Sequence, residues 1–305
     1  MSSALPRILL IDDDRLQQRM AEEHFKRFKA AKYALDWAPT YEDGLERLLT
    51  GSYAACLLDY QLGGRDGLEL IREAAAKGCQ TPIVFLTAEQ SEHIDIQAMN
   101  AGALDYLVKG EITPRVLERS LRYALKLGET LGELRRLATR DQLTGLLNRR
   151  EFDRILTEEC DRAVRFSRPV SLLVVDLDHF KRVNDVHGHQ AGDAVLREAA
   201  RRLAGQVRSV DRPTRFGGEE FAIVLMEMDR AQAMEVARRM CTSMSATPIE
   251  AAPGVFLNIT MSVGVAVSPS EAKDTRSFVA AADRALYAAK AGGRNQAVAF
   301  GDLKD

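Results

Sequence analysis

Short apolar runs alternate with longer stretches of helical periodicity through the N-terminal part of the chain. The runs read RILLI, YALDW, YAACLL, PIVFL and DYLV, and the segments between them are long enough for crossover helices. Uniformly apolar runs spaced in this way are typical of a parallel sheet covered by helices on both faces. The pattern predicts a doubly wound, flavodoxin-like α/β domain over residues 1–125, with strand order 2-1-3-4-5.

A different alternation follows in residues 139–305. VSLLVVDLDHFKRVND reads as a strand with an acidic end, on which Asp176 and Asp178 share a face if the strand continues that far. RFGGEEFAIVL reads as a hairpin, and FLNITMSVGVAV as one long strand or two shorter ones. Two segments have the apolar stripe of a helix: GHQAGDAVLREAARRLAGQV, with Asp193 as the expected cap, and RSFVAAADRALYAAKAGGRN. The order of strands and helices predicts a ferredoxin-like α+β domain.

Residues 112–140 join the two parts and read as one long helix, with proline only in the first turn. Its heptad pattern fits two registers, which share Leu117, Ala124, Leu131 and Ala138. The first register adds Ser120, Leu127 and Leu134, and the second adds Leu121, Gly128 and Arg135. One interpretation is a connecting helix packed on its own domains; the other is a dimeric coiled coil that phosphorylation switches between the registers.

Composition narrows the classes of function. The chain has 305 residues, 46% of them apolar, which suits two domains that each have a core. A net charge of −2 argues against the broad basic face that nucleic-acid binding requires. The four cysteines lack metal-binding spacing, and no apolar run reaches the ~20 residues of a bilayer span. We expect a cytoplasmic protein that binds neither nucleic acid nor membrane.

Polar residues stand where four predicted strands of the N-terminal domain end. Carboxylic acids follow the first and third strands, a hydroxyl group follows the fourth, and an ammonium group follows the fifth. In chain order these residues are Asp12, Asp13 and Asp14, then Asp59, Thr87 and Lys109. The carboxyl ends of parallel strands line one edge of a sheet, so these groups are expected to converge. Each residue alone is explained as well by a helix cap or a solvated strand end. Together they predict a phosphorylatable aspartate beside Mg²⁺, because clustered carboxylates need a cation.

The segments IDDD, LLDYQLGGRDGLELI, PIVFLTA and AGALDYLVK resemble the receiver domain of two-component response regulators over about residues 5–125. The resemblance implies phosphorylation by a cognate histidine kinase at Asp59. It also implies a Mg²⁺ site and a switch with these members: Asp12, Asp13 and Asp59 for the metal, Thr87 and Tyr106 for the switch, and Lys109 for the phosphoryl group. The chain departs from the family at Gly63 and Gly110, where proline is usual.

The stretch TRFGGEEF places two glycines between strand-like runs and two glutamates directly after them. A type I′ turn needs positive φ at both central residues, which the glycine pair can supply. Phe216 would then pair with Glu219 and Arg215 with Glu220, and the two pairs would lie on opposite faces. We therefore expect Arg215 to hold one glutamate, while Glu219 meets Asp176 from a neighbouring strand in a Mg²⁺ site suited to a triphosphate.

Five segments in order resemble the GGDEF family of diguanylate cyclases across about residues 139–300: TRDQLTGLLNRREF, DLDHFKRVNDVHGHQAGDAVL, RFGGEEF, SVGVAV and ADRALYAAKAGGRN. Glu219 stands where many members have Asp. The resemblance implies a nucleotidyl-cyclase-like fold, in which two GTP molecules are joined into cyclic di-GMP with release of two pyrophosphates. One domain holds one GTP, so the reaction implies a homodimer, and receiver phosphorylation would set how the half-sites meet.

The same resemblance assigns site residues by position. The Mg²⁺ ligands are Asp176, Glu219 and the backbone carbonyl of Leu177; Glu219 also assists deprotonation of the 3′-hydroxyl, and Glu220 supports the site. Guanine is read by Asn184 and Asp193. The other substrate-binding residues are His179, Phe180, Lys181, Lys290 and Arg294, whose cationic members neutralise phosphates. A product-inhibition site is formed by Arg208, Asp211 and Arg239.

Other interpretations stay open at this point. A non-catalytic effector could bind GTP or cyclic di-GMP without turnover, although the intact set of site residues argues against it. A response regulator with a DNA-binding output lacks a basic recognition helix. RSVD, taken alone, is more often a surface ion pair. At the family's distance from the glycines it predicts inhibition by cyclic di-GMP, which Arg208→Ala would relieve.

Overall fold

The computed structural model describes residues 5–88 and 92–303, apart from the side chains of residues 92 and 93. The chain divides into two compact units, Met1–Arg135 and Arg136–Asp305. Each unit has its own sheet and core. Among the described residues, every helix is too short or too polar to cross a bilayer.

The N-terminal unit alternates strands and helices. Its elements are β1 (Arg7–Ile11), α1 (Arg15–Lys26), β2 (Ala34–Ala38), α2 (Tyr41–Leu49), β3 (Ala55–Asp59), β4 (Gln61–Leu62), β5 (Arg65–Asp66), α3 (Gly67–Ala76), β6 (Ile83–Thr87), α4 (Glu92–Ala101), β7 (Asp105–Val108), a 3₁₀ turn (Lys109–Glu111) and α5 (Pro114–Thr139). The main sheet is parallel, in the order β2-β1-β3-β6-β7. Because β4 and β5 form a separate small hairpin, this is the 2-1-3-4-5 order, and the prediction is confirmed.

Alternate residues of the central strands face two cores. Leu9 of β1 packs in a cluster with Leu45 of α2, and Ile8 packs on the other face with Phe25 of α1 and Leu117 of α5. The strands are apolar on both faces for this reason, as expected of a sheet covered by helices on each side. The polar groups of the unit are thereby displaced to the strand ends.

The first half of α5 belongs to the core of the N-terminal unit. Leu117, Leu121 and Ala124 are buried there, and buried Ser120 donates a hydrogen bond from Oγ to Asp105 Oδ2 at 2.6 Å. These side chains are covered by the sheet of their own unit, so they cannot also contact a partner helix. A seam with a partner helix could therefore begin only after Ala124, and the coiled coil itself stays a prediction.

The second half of α5 distinguishes the two proposed heptad registers by the exposure of their side chains. Gly128 of the second register lies so close to the ring of Pro82 that a Cβ would overlap it. Leu127 and Leu134 of the first register are instead 45% and 56% exposed. The first register is therefore the one whose apolar side chains remain available after residue 124.

The C-terminal unit contains α6 (Arg149–Phe166), β8 (Val170–Leu177), α7 (Phe180–His187), α8 (His189–Ala204), β9 (Arg212–Gly217), β10 (Glu220–Met226), α9 (Arg230–Ala246), β11 (Ile249–Ala252), β12 (Val255–Leu257), β13 (Met261–Ser268), α10 (Thr275–Ala291), β14 (Ala297–Ala299) and a 3₁₀ turn (Phe300–Asp302). Its five-stranded sheet has the order β14-β13-β8-β10-β9. From β13 to β9 each strand is antiparallel to its neighbour, and β14 pairs with β13 in parallel. The predicted ferredoxin-like layer is confirmed, extended by one strand.

The two faces of this sheet carry separate cores. Val175 and Phe221 pack with α8 and α9, and Val174 and Ala222 pack with α6 and α10. FLNITMSVGVAV forms two strands, β12 and β13. Asp193 does not cap a helix: α8 begins four residues earlier, after Gly188, so the predicted cap is wrong.

The contrast between two glycines of α5 gives a stability test. Gly132 has open space around its Cα, so Gly132→Ala should raise the free energy of unfolding by ~0.5–1 kcal/mol through helix propensity. Gly128→Ala should lower it by ~1–3 kcal/mol, because the rigid Pro82 ring must move. Trp37, the chain's one tryptophan, lies in the N-terminal unit and can report both values in urea. Stabilisation by both substitutions would show that α5 does not pack on Pro82.

Candidate functional sites

Three carboxylates converge at the carboxyl ends of β1 and β3. Oxygens of Asp12, Asp13 and Asp59 lie within 4.8 Å of one another. Lys109, at the end of β7, places its Nζ 2.9 Å from Asp12 Oδ2 and 2.9 Å from Asp59 Oδ2. The predicted convergence is confirmed for these four residues. Asp14 turns away to cap α1, where its Oδ1 accepts the Leu16 N–H at 2.7 Å.

The pocket carries more negative charge than Lys109 neutralises. Burial, followed by the charge of Asp12, raises the pKa of Asp59 to about 6. Burial also raises the pKa of Asp12. It acts to lower the pKa of Lys109, but hydrogen bonds to the two acids prevail and raise it. Three carboxylates around one ammonium fit a divalent cation with oxygen ligands, which would restore the balance of charge.

Backbone contacts fix the orientation of these acids. Gly63 has φ +65° and donates its N–H to Asp13 Oδ2 at 2.9 Å. Proline at this position would supply no N–H and could not adopt that φ. Trp37 donates its indole N–H to the Asp12 carbonyl at 2.7 Å. The departure at Gly63 thus adds a contact to the site.

The two remaining receiver residues differ in exposure. Thr87 is buried at the end of β6, whereas Tyr106 on β7 is 38% exposed. A hydrogen bond to Asp95 raises the pKa of Tyr106. Their roles as switch residues stay predictions.

In the C-terminal unit, Asp176 of β8 lies directly opposite Glu220 of β10. Directly opposed residues of antiparallel strands share a face, so these two carboxylates point to the side covered by α10. Lys290, in the last turn of α10, places Nζ 2.8 Å from Asp176 Oδ2. Burial, and then the charge of Asp176, raises the pKa of Glu220, while Lys290 acts against both.

The hairpin register differs from the predicted one. Gly217 pairs with Glu220 and Arg215 with Phe221, with a bulge between Glu220 and Phe221. The turn residues are Gly218 and Glu219, and of the glycine pair Gly218 has positive φ, +49°. The predicted Phe216–Glu219 and Arg215–Glu220 pairs are therefore wrong, because the turn lies one residue further along the chain. Glu220, not Glu219, is the residue across from Asp176.

Arg215 holds the turn but pairs with neither glutamate. Its Nε and Nη2 donate to the Gly218 carbonyl at 3.0 and 2.9 Å, and its Nη1 lies 3.2 Å from both carboxylate oxygens of Asp141. Asp141 also accepts hydrogen bonds from the N–H and Oγ1 of Thr144. Burial opposes these contacts, yet together they lower the pKa of Asp141. A charged pair thus fixes the turn to the segment between α5 and α6.

That segment also pairs with β9 and with the end of α5. Leu147 donates its N–H to the Pro213 carbonyl at 3.3 Å and accepts the Arg215 N–H at 2.9 Å. Asn148 donates its side-chain amide to the Ala138 carbonyl at 2.8 Å and its backbone N–H to the Thr139 carbonyl at 2.9 Å. The last turn of α5 is thereby attached to the hairpin through one short stretch of chain.

Groups suited to a nucleotide surround the end of β8. α7 begins at Phe180, with two residues between it and the strand. Its cap residue His179 has φ +58° and makes no side-chain capping bond, so the cap leaves the first N–H groups of the helix available to a ligand. The Phe180 ring is buried in the core, which leaves its backbone for binding. Gly192 approaches so closely that a Cβ would overlap Asn184 Oδ1. Asn184 is thereby brought beside Asp193, whose side chain is 47% exposed.

Two predicted acids are structural in this geometry. β8 ends at Leu177, so Asp178 does not continue the face of Asp176; it accepts hydrogen bonds from Thr260, Ser262 and Asn295. Asp211 is 3% exposed and accepts the N–H groups of Arg208 and Met226 at 2.8 and 3.1 Å.

The cations predicted for product inhibition lie around that Asp211 turn. Arg208 donates from Nη2 to the Met226 carbonyl at 3.1 Å. Arg239 donates to the Gln206 carbonyl at 3.1 Å, two residues before Arg208 in the chain. Lys181 and Arg294 are exposed near the ends of β8 and α10.

Comparison with known families agrees with this geometry. The family described as "Diguanylate cyclase, GGDEF domain" matches residues 138–296, and the family described as "Response regulator receiver domain" matches residues 8–122. The chain belongs to the GGDEF diguanylate cyclase family.

Three similar proteins match over different parts of the chain. Response regulator PleD of Caulobacter vibrioides is 32% identical over 305 residues, which cover 96% of this chain and 65% of PleD. The probable diguanylate cyclase DgcC of Escherichia coli is 37% identical over 177 residues, 58% of this chain and 47% of DgcC. The solved coiled coil and GGDEF domain of DgcB from Caulobacter crescentus, in complex with c-di-GMP, matches with a TM-score of 0.55 at 33% identity, covering 61% of this chain and 97% of that chain. The chain thus spans less than two thirds of either curated relative.

Sequence reasoning overlooked several residues of the GGDEF and receiver sites. Asp141 stands three residues before Thr144, a spacing typical of a local turn, but nothing in the sequence indicates its ion pair with Arg215. The Gly63 N–H and the room at Gly192 for Asn184 depend on backbone conformation. Each of these contacts joins segments that lie apart in the chain, so local patterns do not reveal them.

The receiver pocket should bind Mg²⁺ more weakly as the pH falls through 6. Asp59 has a pKa of about 6 without metal, and a proton there competes with the cation. The dissociation constant should therefore be roughly tenfold larger at pH 5 than at pH 7.5. Trp37 fluorescence can follow the titration, because its indole contacts Asp12. Asp59→Asn should remove most of the pH dependence; equal affinity of the unaltered protein at both pH values would contradict the assignment.

Proposed function

We propose that this protein is a phosphorylation-regulated diguanylate cyclase that condenses two GTP molecules into cyclic di-GMP and two pyrophosphates. The observation that carries the proposal is the pair Asp176 and Glu220, opposed on neighbouring strands beside Lys290. Two acids and a lysine on one face, next to an open helix N-terminus, suit a metal-bound triphosphate. Family membership supports the same reaction.

The acids at the strand ends would hold Mg²⁺. Asp176 and Glu220 offer carboxylate oxygens, and the Leu177 carbonyl follows Asp176 directly, before α7 begins. This changes the ligand set expected from the sequence, because the register gives Glu220 the place expected for Glu219. Mg²⁺, when bound, would neutralise the triphosphate and polarise the α-phosphate. Lys290, now paired with Asp176, would be free to contact phosphate oxygens once the cation holds the acids.

Other side chains would bind and orient GTP. The first N–H groups of α7, with Lys181 and Arg294, would hold the phosphates. The Asn184 amide both donates and accepts hydrogen bonds and the Asp193 carboxylate accepts them, a combination that matches the donors and acceptors of the guanine edge. The recorded complex of the DgcB domain with c-di-GMP supports a guanine-containing ligand.

The reaction requires two such sites. Each 3′-oxygen attacks the α-phosphorus of the other GTP, the bond to the bridging oxygen of pyrophosphate breaks, and the 3′-proton passes to a nearby carboxylate. Glu219 lies in the turn beside Glu220, whose pKa its charge helps to raise, and is the carboxylate we assign to that proton. The exposed leucines of the first register, Leu127 and Leu134, supply a surface for dimerisation.

Phosphorylation would act through the receiver pocket. Lys109 now bridges Asp12 and Asp59, and a phosphoryl group on Asp59 would offer it oxygens with more negative charge. We propose that this rearrangement, transmitted through the end of β7 to α5, changes how two chains associate. A cognate histidine kinase would supply the phosphoryl group.

The proposal is tested by incubating the purified chain with GTP and Mg²⁺, with and without beryllium fluoride as a phosphoryl mimic. We expect cyclic di-GMP, faster with the mimic, and a specific activity that rises with protein concentration. Glu220→Gln should weaken Mg²⁺-dependent GTP binding, whereas Glu219→Gln should lower kcat by ~100-fold or more with binding retained. Exposed Glu250→Gln serves as the control. Bound GTP without product in either state would instead support a non-catalytic effector.

Product inhibition gives a separate test. Arg208 and Arg239 lie around one turn with their guanidinium groups partly exposed, which suits the phosphates of cyclic di-GMP. Arg208→Ala should raise the half-inhibitory concentration of cyclic di-GMP by ~10-fold or more, since it removes a charged contact to phosphate. Arg238→Ala, on the neighbouring position of α9, is the matched control. Unchanged inhibition in the Arg208 variant would remove the assignment.

A further inference from the structure

Asp178 is a buried carboxylate that joins three segments of the GGDEF domain. It is 6% exposed, and its Oδ2 accepts hydrogen bonds from Thr260 Oγ1 at 2.6 Å and from the Asn295 N–H at 3.0 Å. Its Oδ1 accepts from Ser262 Oγ at 2.7 Å. The donors lie before β13, within β13 and after α10. A buried charge needs such partners, and here they come from elements that flank the proposed active site.

The loop after α10 has an unusual backbone. Gly293, Arg294 and Asn295 have φ of +111°, +65° and +47°, so two residues other than glycine are left-handed in succession. This conformation costs ~1 kcal/mol or more for each such residue and persists where surrounding contacts fix it. Within the loop, Arg294 donates its N–H to the Ala289 carbonyl at 3.1 Å. The bond from Asn295 to Asp178 then ties the same loop to the end of β8.

Asp178 and Asn295 each lie close in sequence to a residue of the proposed nucleotide site. Asp178 follows Asp176 by two residues, and Asn295 follows Arg294 directly. The hydrogen bond between Asn295 and Asp178 therefore links the backbone next to Arg294 to the end of the strand that carries Asp176. Lys290, one turn before the loop, is held to Asp176 directly by its ion pair. Arg294 is exposed and is linked to this strand through Asp178.

We propose that Asp178 is a positioning residue for nucleotide binding and turnover. It holds the Arg294 backbone in the left-handed conformation that directs the guanidinium to phosphates bound beside Asp176. This inference rests on the proposed function. A metal-ligand role fits Asp178 less well, because both of its carboxylate oxygens already accept hydrogen bonds from three donors.

Three substitutions separate positioning from general packing. Asp178→Ala removes all three bonds. Asp178→Asn can keep both Oδ2 bonds with its amide oxygen, while the Ser262 hydroxyl turns to accept from the amide NH₂. Ser262→Ala removes the Oδ1 bond alone and is the matched control. Replacing the Asn295 amide by an ester, through ligation of a synthetic C-terminal segment, removes the donor N–H, leaves the positive φ of this residue accessible and leaves Asp178 with its two hydroxyl partners, which keeps the test available if Asp178→Ala does not fold.

Activity of the full chain with GTP and Mg²⁺ should follow the Asn295 bond. We expect kcat/KM to fall ~10- to 100-fold in Asp178→Ala and in the protein with the Asn295 ester, and to stay within about threefold in Asp178→Asn and Ser262→Ala. Arg294→Ala should lose a similar factor, and the double variant Asp178→Ala/Arg294→Ala should be no worse than Arg294→Ala, because both changes remove one contact. Multiplicative losses in the double variant, or full activity of the protein with the Asn295 ester, would overturn the proposal.

A binding measurement separates this inference from the proposed function. A GTP analogue with a methylene group between the α- and β-phosphorus atoms can bind but cannot release pyrophosphate. Its affinity should fall ~10-fold in Asp178→Ala and Arg294→Ala and remain near the unaltered value in Ser262→Ala. If the unaltered protein makes no cyclic di-GMP but the variants show this order of affinities, the proposed function is wrong and the role of Asp178 in nucleotide binding stands. Equal affinities in Asp178→Ala and Ser262→Ala would reject that role.

Discussion

Both units hold carboxylates close together at strand ends, and the electrostatic repulsion between these groups must be offset by nearby cations. In the receiver, Lys109 contacts Asp12 and Asp59; in the GGDEF domain, Lys290 contacts Asp176 next to Glu220. A buried charge is costly unless paired, so one ammonium offsets part of the repulsion and leaves negative charge for a cation. Both clusters lie at strand ends, where a sheet can bring several residues together while its apolar faces remain covered. The helices of each unit hold those strands in place.

The parts of the structure that depend on short-range patterns could be predicted. Apolar runs gave the strands of the parallel sheet, and the rule that carboxyl ends share one edge brought Asp12, Asp59 and Lys109 together. The alternation of the C-terminal strands placed Asp176 on a polar end of a buried strand. In each case the relevant periodicity lies within one element or follows from a single topological rule.

The errors share a different cause, which is the competition between alternatives separated by one or a few residues. The hairpin turn lies one residue further along the chain than predicted, which places Glu220 opposite Asp176 and leaves Glu219 in the turn. α8 begins at His189, so Asp193 lies inside the helix rather than at its start. The apolar positions at the start of α5 fit a dimer seam and an internal core equally well in sequence. In the structure they pack against the sheet of their own unit. Local propensity cannot rank such choices, because contacts with distant segments decide them.

The segment between α5 and α6 has a wider consequence. Asn148 binds the last carbonyls of α5, Leu147 pairs with β9, and Asp141 holds the arginine that fixes the turn. All of these contacts lie within residues 136–305, so they do not depend on what precedes them. The same contacts could therefore form in a GGDEF domain that follows a different sensory domain, provided that the last helix of that domain continues into residues 136–139. Such a helix would be connected to the acidic turn through this segment.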